Sequence, residues 1–211
     1  TGAPPNDGTL DLLEIALKHR GPDGAGRYTD SDTAILQTRL AIIDLNLGKQ
    51  PFVQKRAGDG SIALVANGEI YNYRELHDQL GSNHFAPSSD CEAPLHLYTR
   101  YGEEFPKHLR GMYAIAIYDS DQNCLILSRD PFGIKPLYYV ETEALFAFAS
   151  EPQALIKAGI CSATDNAEAM HELLQLQFTC GRETPFGGIY RVLPGETLVI
   201  RAGKVTKRSY L

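Results

Sequence analysis

The sequence of 211 residues has no run of Lys or Arg longer than a pair, and its formal net charge is −6. A nucleic-acid or anionic-membrane surface needs a concentrated positive field, so neither partner is expected. No apolar stretch approaches the roughly 18 residues of a membrane-spanning helix, and no charged-then-apolar start marks a signal peptide. The four cysteines, Cys91, Cys124, Cys161 and Cys180, are widely spaced, with no CxxC pair and no Cys/His cluster at zinc spacing. That argues against a metal site and against a disulfide framework, and for free thiols in a reducing cytoplasm. Internal repeats and low-complexity linkers are lacking too. What is left is an ordinary globular balance, 43% apolar and 22% charged, long enough for one well-buried domain. A small, neutral or zwitterionic ligand suits such a chain better than a polyanion.

Hydrophobic spacing predicts a helix through Leu10, Leu13 and Leu17, stopped by the breaker in HRGPDG (19–24). Strand-like runs follow at 33–43 and 61–70, separated by a polar loop around Lys55 to Gly60, then helices over 71–80 and 92–102. Two hairpins are expected, 112–119 with 123–130 and 136–142 with 144–150, followed by a helix over 167–176. Short strands then flank Pro194-Gly195 and Ala202-Gly203. Strand pairs meeting helices without βαβ regularity point to antiparallel sheets covered by helices.

Several residues bear chemistry, each with a plainer reading beside it. Asn67-Gly68, in VANGEIYN, reads first as a type I′ turn. Placed instead where a strand runs into a helix, an Asn amide and a Gly N–H would converge as an oxyanion hole, worth about 10²- to 10³-fold in rate per donor. Arg39 offers a planar fork for a carboxylate, and Asp90 an anion for an ammonium group. Both also suit structural roles, because Ser89-x-x-Glu92 has capping-box spacing and Asp90 sits near a helix start. Pro94 disturbs a regular first turn there. RDPFGIKPLYY (129–139) reads as a scaffold loop, with Arg129 and Asp130 placed to pair. Ser88-Ser89-Asp90 lacks the GxSxG setting of a serine hydrolase.

Taken in order, HRGPDG (19–24), RLAIIDL (39–45), NGEIYNY (67–73), SSDCE (88–92), LRGMYAIAIYD (109–119) and RDPFGIKPLYY (129–139) resemble the glutaminase domain of class II glutamine amidotransferases. They are most similar to the glutamine-dependent asparagine synthetases. The resemblance implies an α+β fold, a four-layer α/β/β/α N-terminal-nucleophile sandwich of two antiparallel sheets. It implies that Arg39 holds the α-carboxylate of glutamine and Asp90 its α-ammonium, while Asn67 and Gly68 form the oxyanion hole. Glu69 would fix the substrate end, and Leu40, Ala41, Ile42 and Ile43 would line the pocket largely through backbone groups. The implied nucleophile is an N-terminal Cys whose thiolate attacks the side-chain amide, its own α-amine shuttling the proton. The implied domain needs no cofactor or metal; ATP and Mg are expected for a synthetase domain of the same parent chain, in a cytoplasmic enzyme that the family implies is a homodimer.

The sequence departs from that pattern at its start, after Asp90, where SDCEAPL replaces the family's usual apolar continuation, and in its synthetase half. No Cys precedes Cys91, and the distance kept before HRGPD makes the chain short by about ten residues, a strand and a turn. Thr1 is therefore not expected at the nucleophile position, and no phosphate-loop signature of a synthetase domain is present. Three readings follow: a glutaminase domain, inactive unless its N-terminal Cys strand is in place; a glutamine-binding module without chemistry; and, least favoured, a Thr1 hydrolase.

Overall fold

The computed structural model describes residues 6–40, 49–56, 58–81 and 90–211. The chain opens with α1 (Asp7–Leu17), β1 (Gly24–Thr29), β2 (Ala34–Arg39), β3 (Phe52–Lys55), β4 (Ser61–Ile70), α2 (Tyr73–Leu80) and α3 (Ala93–Tyr101). It continues with β5 (Gly111–Asp119), β6 (Cys124–Arg129), β7 (Tyr138–Glu141), β8 (Phe146–Ala149), α4 (Pro152–Lys157) and α5 (Ala167–Leu176). It closes with β9 (Tyr190–Arg191), β10 (Glu196–Arg201) and β11 (Lys204–Tyr210). Among the described residues no helix is long and apolar enough to cross a membrane.

A six-stranded antiparallel sheet, in the order β11-β10-β6-β5-β4-β3, forms the centre. Residues 62–66 of β4 are all buried, as a strand covered on both faces requires. Alternation then sorts its side chains. Ile62, Leu64 and Ile70 pack with Ile115 and Ile117 of β5 against Leu97 and Tyr98 of α3. Ala63 and Val65 pack with Ala114, Ala116 and Tyr139 toward a second strand layer. That layer comes in two pieces, β1-β2 and β8-β7-β9. Behind it, Ala16 of α1 and Leu155 of α4 bury against Val140 and Ala149. The result is helix, sheet, sheet, helix.

Local chemistry explains the helix starts. Asn6 caps α1 by accepting from Gly8 N–H at 2.9 Å, and Asn166 caps α5 through Ala169 N–H. The capping box read at Ser89-x-x-Glu92 lies partly outside the described residues, and Asp90 itself does not cap α3. A 3-10 turn covers Asp90–Glu92, Glu92 occupies the cap position without a side-chain bond, and Ser89 lies outside the described residues. Pro94 sits in the first turn of α3, where its missing N–H costs no helical bond. The turn reading of Asn67-Gly68 is overturned as well: both lie inside β4, paired with Ala114 and Tyr113 of β5.

Candidate active site

A cavity of about 1050 Å³ lies between the two strand layers. Leu36 and Thr38 of β2, Phe146 and Phe148 of β8, and Val65 and Ala114 of the central sheet all face it. β2 pairs with β1 alone and β8 with β7 alone, so each has an edge with no strand partner among the described residues. Both strands border this one cavity.

Six of the predicted site residues line it: Arg39, Leu40, Asn67, Gly68, Glu69 and Asp90. Ala41, Ile42 and Ile43 lie outside the described residues, as does Thr1. Asn67 and Glu69 are in phase with Ala63 and Val65, so their side chains project from the face of β4 that looks toward the second layer.

The main chain of Gly68 is the less obvious part. Main-chain groups of one strand residue point the same way and alternate along the strand. Ile70 N–H donates to Asp90 Oδ2 at 2.9 Å, and Gly68 C=O accepts from Cys91 Sγ at 3.5 Å. Across the ladder Tyr113 also turns away, donating its N–H to Asp90's counterpart in the next loop, Asp130 Oδ2, at 3.3 Å, while its C=O accepts from Asp130 N–H at 2.9 Å. Gly68 and Tyr113 are thus a non-hydrogen-bonded pair, and the Gly68 N–H is presented on the side of Asp90 and Cys91. Only glycine fits: a Cβ at position 68 would overlap the Met112 carbonyl oxygen and lie 2.7 Å from Tyr113 Cα.

The flanking motifs explain how these groups are held. In HRGPDG, a Cβ on Gly21 would lie 2.6 Å from Thr38 O, so glycine lets the loop press onto the end of β2 beside Arg39. His19 and Arg20 bond Glu151 Oε1 at 3.1 and 2.9 Å, tying that loop to the start of α4. In RDPFGIKP the expected Arg129–Asp130 pairing is replaced by two separate sets of backbone bonds. Arg129 donates to the carbonyls of Gly133, Lys135 and Val192, each at 2.7 Å. Buried Asp130 accepts from the N–H groups of Phe132, Ile134 and Lys135, each at 3.0 Å. Each buried charge satisfies main-chain dipoles that a tight loop would leave unpaired. The scaffold reading of this loop holds.

Cys91 and Lys135 also line the cavity, and neither was singled out from the sequence. Cys91 is the one thiol there among the described residues. Burial, reinforced by the Asp90 carboxylate, pushes its pKa well up, so it stays a protonated donor rather than a thiolate.

The cavity therefore carries two neutral donors side by side, from Asn67 and Gly68, with carboxylates on Glu69 and Asp90 and a guanidinium on Arg39. The sequence matches the glutamine amidotransferase domain family over residues 4–211. The chain belongs to this family. This amidotransferase domain is 42% identical over 165 residues to glutamine-hydrolysing asparagine synthetase 2 of Bacillus subtilis, covering 78% of this chain and 22% of that one. It is 37% identical over 197 residues to the amidase chyE of Penicillium rubens, covering 91% and 28% respectively. The domain thus spans about a quarter of the length of these relatives. Among solved structures, the B. subtilis glutamine PRPP amidotransferase superimposes with a TM-score of 0.69 over 96% of this chain and 46% of that chain, at 24% identity. The amidotransferase domain has the N-terminal-nucleophile sandwich expected from its motifs.

Proposed function

We propose that this domain hydrolyses the side-chain amide of glutamine and releases ammonia for ATP-dependent amide formation, as part of an asparagine synthetase-like enzyme. The observation that carries this reading is the pairing of Asn67 with an outward-turned Gly68 N–H in a cavity that also holds Arg39, Glu69 and Asp90. A free amino acid needs one fixed cation and one fixed anion, which Arg39 and Asp90 supply. Asp90 Oδ2 is already engaged by Ile70 N–H, which leaves Oδ1 for the α-ammonium. The amide end then meets Asn67 and Gly68, whose donors stabilise negative charge developing on its oxygen.

The nucleophile of this reading would be the thiolate of an N-terminal Cys. An extended stretch seated between the open edges of β2 and β8 would pair with both and bring its first residue toward Asn67. The α-amine would take the thiol proton as sulfur attacks the amide carbon and pass it to the amide nitrogen, so that the C–N bond breaks, ammonia leaves and a thioester remains for water to hydrolyse to glutamate. Ammonia would pass to a Mg- and ATP-dependent synthetase portion of the parent chain, with aspartate as the expected acceptor and a homodimer as the expected assembly.

The test combines glutamine titration with trapping of the thioester by hydroxylamine. Glutamate release, with γ-glutamyl hydroxamate formed when hydroxylamine is present and both lost when an N-terminal Cys is replaced by Ala, supports the reading. Saturable glutamine binding without glutamate release would make the domain a binding module, and loss of activity on Thr1→Ala would assign the chemistry to Thr1.

A further inference from the structure

We infer that Gln50 is a positioning residue for the oxyanion hole, acting as a one-residue substitute for a strand along the open side of β4. The inference rests on the glutaminase reading and deepens it, because it names what holds Asn67 and Gly68 in place.

The β3–β4 ladder runs from Lys55↔Ser61 to Phe52↔Leu64 and stops there, while β4 continues six residues further to Ile70. Along that extension, the main-chain groups of residues 66, 68 and 70 point away from β5 and need partners of their own. Gln50 meets the first of them in full. Its Nε2 donates to Ala66 O at 3.0 Å, and its Oε1 accepts from Ala66 N–H at 2.7 Å. A carboxamide presents a donor and an acceptor side by side, as a peptide group of a neighbouring strand would. Cys91 Sγ takes Gly68 O and Asp90 Oδ2 takes Ile70 N–H. The Gly68 N–H lies between these two clamps.

Placement of the clamp gives it a direct bearing on chemistry. Ala66 O belongs to the peptide plane that contains Asn67 N, so fixing that oxygen fixes the twist of β4 immediately before the two donors. Gln50 is itself held from behind, since a Cβ on Gly26 of β1 would lie 2.9 Å from its main-chain carbon. Both hydrogen bonds of its carboxamide go to Ala66, while the Asp90 carboxylate is held separately by Ile70 N–H. Gln50 therefore acts on the developing oxyanion and not on the grip of Arg39 and Asp90. An oxyanion hole discriminates by position, and misplacement of the order of 1 Å costs about 10²-fold in rate.

The experiment uses the complete glutamine-hydrolysing enzyme with Gln50→Glu and Gln50→Met. The carboxylate keeps an acceptor for Ala66 N–H but sets an oxygen against Ala66 O; methionine keeps the length and loses both bonds. For both variants kcat for glutamate release is expected to fall about 10- to 100-fold with glutamine KM within about twofold. Synthesis from added ammonium, which bypasses the glutaminase site, is expected to stay at the wild-type rate and so report that the enzyme is folded. Unchanged kcat in both variants would overturn the inference, as would a rise in KM with kcat preserved, because Gln50 would then serve substrate binding alone. A fall in ammonium-driven synthesis equal to the fall in kcat would overturn it too, by making Gln50 a general structural residue. Failure of the glutaminase reading itself would be distinct: the wild-type enzyme would then release no glutamate.

Discussion

Gly68 and Tyr113 face each other across the β4–β5 ladder without sharing a hydrogen bond, and Asp130 takes both main-chain groups of Tyr113. One consequence is that the Gly68 N–H is left free of Tyr113 and has no partner among the described residues. Another is that the two backbones lie too close for any side chain at position 68.

Gly68→Ala is accordingly expected to push β4 from β5. Overpacking of this kind costs about 1–3 kcal/mol, and the displaced N–H would lose its aim. Thermal melts should show the destabilisation, and glutaminase kcat should fall about 10²-fold or more. A variant that melts and turns over like the wild type would show that β5 yields at no cost.

Arg39→Lys tests the grip on the substrate. A lysine keeps the charge but replaces a planar fork by a single point donor. Glutamine KM is expected to rise about tenfold with kcat little changed, the mark of lost uniform binding. A fall in kcat at constant KM would place Arg39 in the chemical step instead.

Cys91 is expected to resist alkylation. Burial holds its thiol in the neutral form far above the ordinary range, and Cys180 is exposed. Iodoacetamide at pH 8, followed by peptide mass spectrometry, should modify Cys180 well before Cys91. Rapid labelling of Cys91 would mean that the thiol is ionised and that the cavity is a more polar place than its lining suggests.

Glu196, which does not line the cavity, gives a pH signature of its own. Burial alone would raise its pKa, but the Arg182 fork at 2.7 and 2.8 Å, the Leu193 N–H at 2.8 Å and Arg208 outweigh burial and lower it below 4.5. A depressed carboxyl contributes stability above its unfolded pKa and loses it as the pH falls through the folded value. At pH 7 Glu196→Gln should cost about 3 kcal/mol, since the guanidinium of Arg182 would be left without its partner. The gap between wild type and variant should close as the pH drops below the ordinary carboxylate range. A gap that stays constant to pH 3 would show that Glu196 does not titrate with unfolding.

Legibility in the sequence followed the strength of local pattern. The run SIALVANGEI is apolar enough to mark β4 from Ser61 to Ile70, and AEAMHELLQL marks α5 from Ala167 to Leu176. β1, with the sequence GAGRYT, passes unnoticed because glycine and charge mask an exposed strand. β3 and α4, four and six residues long, are too short for a period to show. Asn67-Gly68 carries the turn signal of its dipeptide, yet pairing with Ala114 and Tyr113 overrides it, and the glycine is there for close approach and not for a turn. Arg39 and Asp90 acquire a role only beside the other motifs. Gln50 has no local signal, because its partner, Ala66, lies sixteen residues away in sequence.

Under the proposed mechanism, the cavity bordered by β2 and β8 would also act as a ruler. An extended segment advances about 3.3 Å per residue and reverses its side chains at each step. Adding or removing a single residue at its leading end would carry a reactive first residue past Asn67 and turn it to the wrong face. A nucleophile delivered along this track therefore demands maturation accurate to one peptide bond, and an unremoved initiator methionine would be enough to silence it.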